Sequence, residues 1–398
     1  MARRMKSFPS IVHTLGFPVD FNGNIARIMG EAISVSRMGL NVEVIVSEQI
    51  VQMENLKLAE DTHVKIHHAN VLVQHREIGW RINNLVSLTI KTLEVIRENP
   101  NIILHVAAPT PVTRPLGVSE VGRRLGKPMV LDIIDVWSNH PFSYDPFSIL
   151  QTQIMRRAIN NADHVVVCHD PMKRLVKRIN KEKQVSIVPN GVDIELFAPR
   201  ERDAALAKEV GIEEDDVVVA FCGHVTNIKG LDVLAYSAKS IIEKHKETVF
   251  LIIGDGPFLN HVKALVKELG LSSKFRFVGF VESQVDYLSL ADICVAPYIP
   301  VPHLEFVHPM KTAEYMAMEK PVVISKLPSE EDVIALSGGG IQVAPGNGAE
   351  LASSIIELVE DEKLRKTLGK KGRKYVEQNL SWSKIAQKLV GIYASIIS

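Results

Sequence analysis

Cysteine is scarce in this chain. Its 398 residues include three, Cys168, Cys222 and Cys294, far apart and each inside or at the edge of an apolar run. Such spacing fits small buried core residues in a reducing compartment better than a disulfide frame or a zinc site. Net charge is missing too. Lys and Arg total 46, and so do Asp and Glu. No global field draws the chain to nucleic acid, and any anion site must be local. No apolar run approaches the roughly 18 residues that a membrane span requires. The basic start, Met1 to Lys6, leads into no apolar segment of the signal-peptide kind. A cytoplasmic enzyme is the expectation. No Asp-x-Asp follows a strand, so neither a metal nor another cofactor is expected. No complete Gly-x-Gly-x-x-Gly fingerprint appears either, which disfavours a nicotinamide oxidoreductase. Internal repeats and low-complexity tracts are absent.

What is present is an alternation. Short apolar runs separate longer amphipathic segments from end to end, in a composition 46% hydrophobic and 23% charged. Strands are predicted at Ser10–Thr14, Val42–Val46, Ile102–Val106, Met129–Ile133, His164–Val167 and Ser186–Val188. A second series is predicted at Val217–Cys222, Val249–Ile253, Phe275–Val278, Ile293–Ala296 and Pro321–Ile324. Helical patterns such as Asn24–Gly39, Trp80–Glu98, Leu231–His245 and the final Ser383–Ile397 lie between or after them. This order implies parallel sheets covered on both faces, hence two doubly wound α/β domains. Pro199 and the charged stretch Glu213 to Asp216 mark Glu195–Asp216 as the linker between them. The domains expected are 1–198 and 199–380, with 381–398 packing back on the first. In such sheets ligands bind outside the carboxyl ends of the strands.

Three loops at such ends carry chemistry. Gly223 and His224 follow the strand Val217–Cys222, with Lys229 and Gly230 just before a helix. A glycine admits close backbone approach, a helix N-terminus favours anions, and a lysine adds a point charge suited to phosphate. The bland alternative is an ordinary loop with a solvated lysine. Gly254-Asp255-Gly256-Pro257 forms a tight turn after Val249–Ile253. In the segment Glu305 to Met318, Pro309 fits the entry to a helix. Lys311 and Glu314 then share one face of its first turns. A carboxylate there accepts hydrogen bonds from a ribose diol. Its bland alternative is helix-dipole compensation, with Lys311 paired to Glu314. A basic amphipathic stretch through Lys173, Arg174, Lys177, Arg178, Lys181 and Lys183 suits a solvated helix or peripheral contact with anionic lipid at the inner face of the membrane.

In order and spacing these pieces resemble the donor domain of the retaining, family 4 glycosyltransferases of GT-B fold. The resemblance runs from Val217 to the end. It includes Phe277 to Phe280, Ala291 to Pro297, Pro309 to Ala317 and Lys320 to Val323, with Val188 to Asp193 and Phe197 upstream. It implies two Rossmann-like doubly wound parallel-sheet domains facing a central cleft. The reaction implied is sugar transfer from a nucleoside-diphosphate sugar, retaining anomeric configuration. The acceptor stays open: a sugar, a lipid-linked sugar or a small molecule, as in cell-surface polysaccharide or glycolipid synthesis. Lys229 would contact the diphosphate and Glu314 the ribose. Donor contacts are also implied for Gly223, His224, Gly254, Gly256, Glu305, Phe306, Val307, His308, Pro309 and Lys311, and the loop Val278–Phe280 would receive the base through main-chain contacts.

Two positions depart from the family. His224 stands where an arginine is frequent. Phe306 takes the place of the first glutamate of a pair, with Glu305 one position earlier. The N-terminal half resembles the acceptor domain more loosely. Gly23 and Asn24 occupy the place of a glycine pair near the donor phosphate. Asp135 is the candidate that orients an acceptor hydroxyl or the donor sugar. Trp137, His105 and His140 are acceptor-side candidates, against the alternative that the histidines are structural. Two further readings stay open on this fold: a sugar-nucleotide epimerase, and a non-catalytic sugar-nucleotide-binding protein.

Overall fold

The computed structural model describes residues 8–15, 22–47, 64–69, 78–108, 113–135, 146–301, 304–328 and 331–397. Trp137 and His140 lie outside the described residues. The chain divides into two compact units, Met1–Gly191 with Trp382–Ser398, and Val192–Ser381. The first division falls at Gly191 rather than at residue 198. Burial is the reason: Val192 and Phe197 belong to the core of the second unit, where Val192 also bridges to Ser381. The charged stretch Glu195–Asp216 is likewise no free linker. It holds a helix, Ala204–Glu209, capped by Asp203, and Arg202 donates to Asp292 of the same unit at 2.6 Å.

The first unit is a seven-stranded parallel sheet in the order β3-β2-β1-β4-β5-β6-β7. Its strands are β1 (Ser10–Leu15), β2 (Val42–Ser47), β3 (Val64–Ala69), β4 (Ile102–Ala108), β5 (Met129–Ile133), β6 (His164–Val167) and β7 (Val185–Ile187). β4 and β5 are buried along their whole length, as near-continuous apolar runs in a parallel sheet should be. The edge strand β3 is absent from the expected series. Its half-exposed sequence, with Lys65, His67 and His68, lacks the apolar run that marks the others. The final helix, Trp382–Ile397, packs against the helix Asn22–Arg37. Gly30 permits this contact, because a side chain there would run into the Trp382 ring. The basic helix Asp170–Ile179 buries Met172, Leu175 and Val176, so the apolar face considered for lipid is already covered.

A charged cluster is buried under this sheet. Arg27 donates from Nε to Asp132 at 2.9 Å, and from its terminal nitrogens to Asp132 at 3.1 Å, Asn190 at 3.0 Å and the Val188 carbonyl at 3.1 Å. Glu31 lies one turn along, 3.1 Å from Arg27. His105 Nε2 is 3.6 Å from both Glu31 and Asp132, and its Nδ1 shares a 2.6 Å hydrogen bond with Tyr393 of the final helix. His13 stacks on His105 with ring centroids 4.3 Å apart. Burial alone would raise the Asp132 carboxyl, but Arg27 and His105 outweigh it and hold the group at about 2. Glu31 has the opposite balance. Burial raises it to about 7, although Arg27 opposes.

The shift at Glu31 has a definite sign. An unfolded glutamate ionises above about 4.3, whereas the folded one keeps its proton to about 7. The wild type therefore loses stability as pH rises between these values, and the loss stays constant above them. Glu31→Gln, which has no proton to release, should melt several degrees higher than wild type at pH 8. The gain should vanish near pH 4, with about 2–4 °C expected per kcal/mol. Equal melting shifts at both pH values would show that Glu31 is ionised throughout.

Candidate functional site

The second unit is a six-stranded parallel sheet in the order β10-β9-β8-β11-β12-β13. Its strands are β8 (Val217–Cys222), β9 (Thr248–Ile253), β10 (Phe275–Gly279), β11 (Ile293–Ala296), β12 (Val322–Ser325) and β13 (Gly340–Val343). Strand order reverses between β8 and β11. β8 pairs with β9 to its last residue, Cys222 against Ile253. Its pairing with β11 is confined to Val219 and Ala220. Beyond Ala220 the Cys222 backbone has no strand partner on that side, yet the residue is buried. Buried backbone groups must be satisfied, and the helix Met310–Ala317 does this. Cys222 N–H donates to the Tyr315 hydroxyl at 2.8 Å, and that hydroxyl donates to the Cys222 carbonyl at 3.2 Å. Lys311 Nζ donates to the same carbonyl at 2.6 Å.

These bonds bring the first turns of that helix to the carboxyl end of β8. Pro309 is its N-cap, in extended conformation, as the sequence suggests. Lys311 and Glu314 share the face expected of them, but Lys311 is turned to the Cys222 carbonyl rather than held by Glu314. Burial raises the Glu314 carboxyl to about 7, against the pull of Lys311.

Lys229 closes the opposite side of the switch point. It ends a short 3-10 turn, Asn227–Lys229, and Gly230 then caps the helix Leu231–Lys244. Its Nζ donates to the Tyr298 hydroxyl at 3.3 Å and lies 4.6 Å from the centre of that ring. Tyr298 sits just beyond β11, so this contact spans the loops where strand order reverses. Burial, with a contribution from the Lys311 charge, lowers Lys229 to about 7.

The glycine turn after β9 is locked to the loop after β8. Gly223 N–H donates to Ile253 O at 2.8 Å, and Val225 N–H to Asp255 O at 2.9 Å. Gly254 N–H donates to Gly279 O at 2.7 Å, which ties in the end of β10. A side chain at Gly254 or Gly256 would strike the carbonyl oxygen of Gly223 or Val225. Phe280, just past Gly279, is 73% exposed, while Val278 packs against the core. His224 and Glu305 are exposed, and Phe306, Val307 and His308 are half-buried in the approach to Pro309.

In the first unit, Gly23 and Asn24 lie in the first turn of the helix Asn22–Arg37. Asp135 follows β5 by two residues and is half-buried. His105 is corrected from an acceptor-side candidate to a core residue. It is fully buried within β4 and bonded to Tyr393. Sequence reasoning missed Tyr298 and Tyr315. Each had a signal: Tyr298 follows the Ala296-Pro297 end of a strand, and Tyr315 stands one turn after Lys311.

The fold is that of the GT-B glycosyltransferases. The family model for glycosyl transferases group 1 matches residues 203–375, and that for Glycosyltransferase Family 4 matches residues 32–196. The chain belongs to the family 4 GT-B glycosyltransferases. It is 26% identical over 217 residues to an uncharacterised glycosyltransferase of Methanocaldococcus jannaschii, a match covering 53% of this chain and 54% of that one. The chain thus spans about half the length of that relative. It is 24% identical over 316 residues to the N-acetyl-alpha-D-glucosaminyl L-malate synthase of Bacillus anthracis, covering 78% of this chain and 79% of that enzyme. Among solved structures, Anabaena HepE in complex with UDP superposes with a TM-score of 0.76 at 16% identity, covering 98% of this chain and 100% of that one.

The interlock of the two loops can be tested with paired substitutions. Gly254 and Gly270 both have positive φ, 126° and 72°. Only Gly254 has backbone where a side chain would go, since nothing lies within 4 Å of that position at Gly270. Gly270→Ala should cost about 1–2 kcal/mol from backbone strain alone. Gly254→Ala should cost clearly more and should also weaken ligand binding at the loop. Equal losses in denaturant melts would mean that strain, not the Gly223 carbonyl, sets the requirement.

Proposed function

We propose that this glycosyltransferase moves a sugar from a nucleoside-diphosphate donor to an acceptor hydroxyl with retention at the anomeric carbon. The observation that carries the reading is Lys229, held on Tyr298 where strand order reverses, beside the N-terminal turns of the helix that bears Glu314. This is where doubly wound sheets bind nucleotides. Anabaena HepE, a structural neighbour, has been solved with UDP and with UDP-glucose. In this reading Glu314 accepts from the ribose hydroxyls, and the Gly279–Phe280 backbone receives the base. The segment Phe306–Pro309 borders the sugar and phosphate. The bond between the anomeric carbon and the diphosphate oxygen breaks as the acceptor oxygen attacks. The electron pair leaves on the diphosphate, whose departing oxygen takes the proton of the acceptor hydroxyl, and Lys229 stabilises the remaining charge.

A thermal-shift screen against UDP-, GDP- and ADP-sugars tests the donor class, since a ligand that binds the folded state raises its melting temperature. No shift with any of them would reject the reading. Lys229→Ala should lower kcat/KM about 10²–10³-fold, or about 2–4 kcal/mol in the transition state. The same site predicts a narrow pH optimum. Lys229 must be charged and Glu314 ionised, and each titrates at about 7. Activity should therefore fall on both sides of neutrality. Glu314→Gln should flatten the acid limb and Lys229→Ala the alkaline limb. Activity should also persist in excess EDTA, because a lysine faces the leaving group. Loss in EDTA with recovery on Mg²⁺ or Mn²⁺ would require a metal at the diphosphate.

A further inference from the structure

Tyr298 is fully buried in the core of the second unit, yet its loop is fastened to the turn that bears Lys229. The Tyr298 carbonyl accepts from the Ser325 hydroxyl at 2.8 Å and from Gly346 N–H at 3.2 Å. The next residue, Ile299, donates to the Ile228 carbonyl at 3.2 Å. Gly230 lacks a side chain where the Pro297 carbonyl approaches. The loop is therefore joined to the residues on both sides of Lys229. Two contacts then act on the ammonium itself. Nζ donates to the Tyr298 hydroxyl at 3.3 Å and lies 4.6 Å from the centre of the ring. Both contacts favour the charged lysine. Burial and the charge of Lys311, on the helix Met310–Ala317, oppose them. Glu314 of that helix is set against Lys311. A carboxylate in place of Tyr298 would hold the lysine as firmly but cancel its charge. A hydroxyl on a buried ring holds it and leaves the charge to a ligand.

We infer that Tyr298 is a positioning residue of this site, whose hydroxyl and ring fix the charged Lys229 ammonium at the opening between β8 and β11 without neutralising it. The inference rests on the nucleotide-sugar reading, in which the charge serves the donor, and adds the residue on which that charge depends. Tyr298 touches no ligand in this role and acts only through Lys229. The ammonium has three N–H donors, so the hydroxyl leaves two for an anionic group.

The test uses the full chain and Tyr298→Phe, which keeps the buried ring and removes only the hydroxyl. Without ligand, an NMR titration of the Lys229 ε-carbon reads the charge directly. Its midpoint, about 7 in wild type, should be lower in the variant, because the lost acceptor favoured the charged form alone. Calorimetric titration with inorganic pyrophosphate then reads the consequence. Relative to wild type, the variant should bind about tenfold more weakly at pH 8 and within about twofold at pH 6, where both lysines are largely charged. A tyrosine that served packing alone would leave the midpoint unmoved and cost the same factor at both pH values. Either result would overturn the inference while leaving the donor reading intact. Should Tyr298→Phe fail to fold, Overhauser contacts between the Lys229 ε protons and the Tyr298 ring in wild type at pH 6 decide the matter, and their absence overturns it. If wild type binds neither pyrophosphate nor UDP, GDP or ADP, the donor reading fails. A lowered midpoint in the ligand-free variant would still bear out the hold of Tyr298 on Lys229.

Discussion

The carboxyl end of β8 poses a backbone problem on which the rest of the candidate site depends. A doubly wound sheet must open where its strand order reverses. Here β8 and β11 part after Ala220, while β8 continues to Cys222 beside β9. The buried N–H and carbonyl of Cys222 then need partners that no strand supplies. Tyr315 and Lys311 provide them. One helix is thereby fixed with its first turns at the opening, and Glu314 is carried there with it. A tyrosine that looks like core packing is what places the polar groups around it.

The first unit meets the corresponding place differently. Among the described residues β1 and β4 stay paired from Ser10 against Ile102 to Thr14 against Val106, one residue short of the end of β1. The expensive groups are instead side chains: Arg27, Asp132, Glu31, His105 and His13, all fully buried. Arg27 compensates by joining four points at once, binding Asp132, Asn190, Val188 and Glu31. Tyr393 attaches the final helix to the same cluster through His105. Removing Arg27 or Asp132 would leave the other as an uncompensated buried charge, so the docking of the C-terminal helix depends on charge as well as on its apolar face.

Much of this architecture was legible from pattern. Strands buried on both faces read as unbroken apolar runs, and β4, β5, β8 and β11 were found for that reason. The edge strands β3 and β13 were not. β3 carries Lys65 and two histidines, and β13 is four residues long behind consecutive glycines, so neither holds a run. The linker was misplaced because charge and proline mark exposure, while the boundary is set by which core buries Val192 and Phe197. His105 reads from the sequence as an acceptor-side candidate near Asp135, and burial against Tyr393 makes it structural.

The sequence by itself determined the two parallel-sheet units, the family, and which loops lie at the carboxyl ends of the strands. Those features follow from local periodicity and from short motifs whose residues are neighbours in the chain. Only the tertiary structure decided what each polar side chain faces. Lys311 and Glu314 are three positions apart, and helix geometry alone suggests that they pair. Folding offered Lys311 a carbonyl 89 positions away in the chain and set Lys229 against a tyrosine 69 away. Partners at that separation leave no periodic trace, and burial, which shifts the proton affinities of Lys229, Glu314 and Glu31, depends on every segment that covers them.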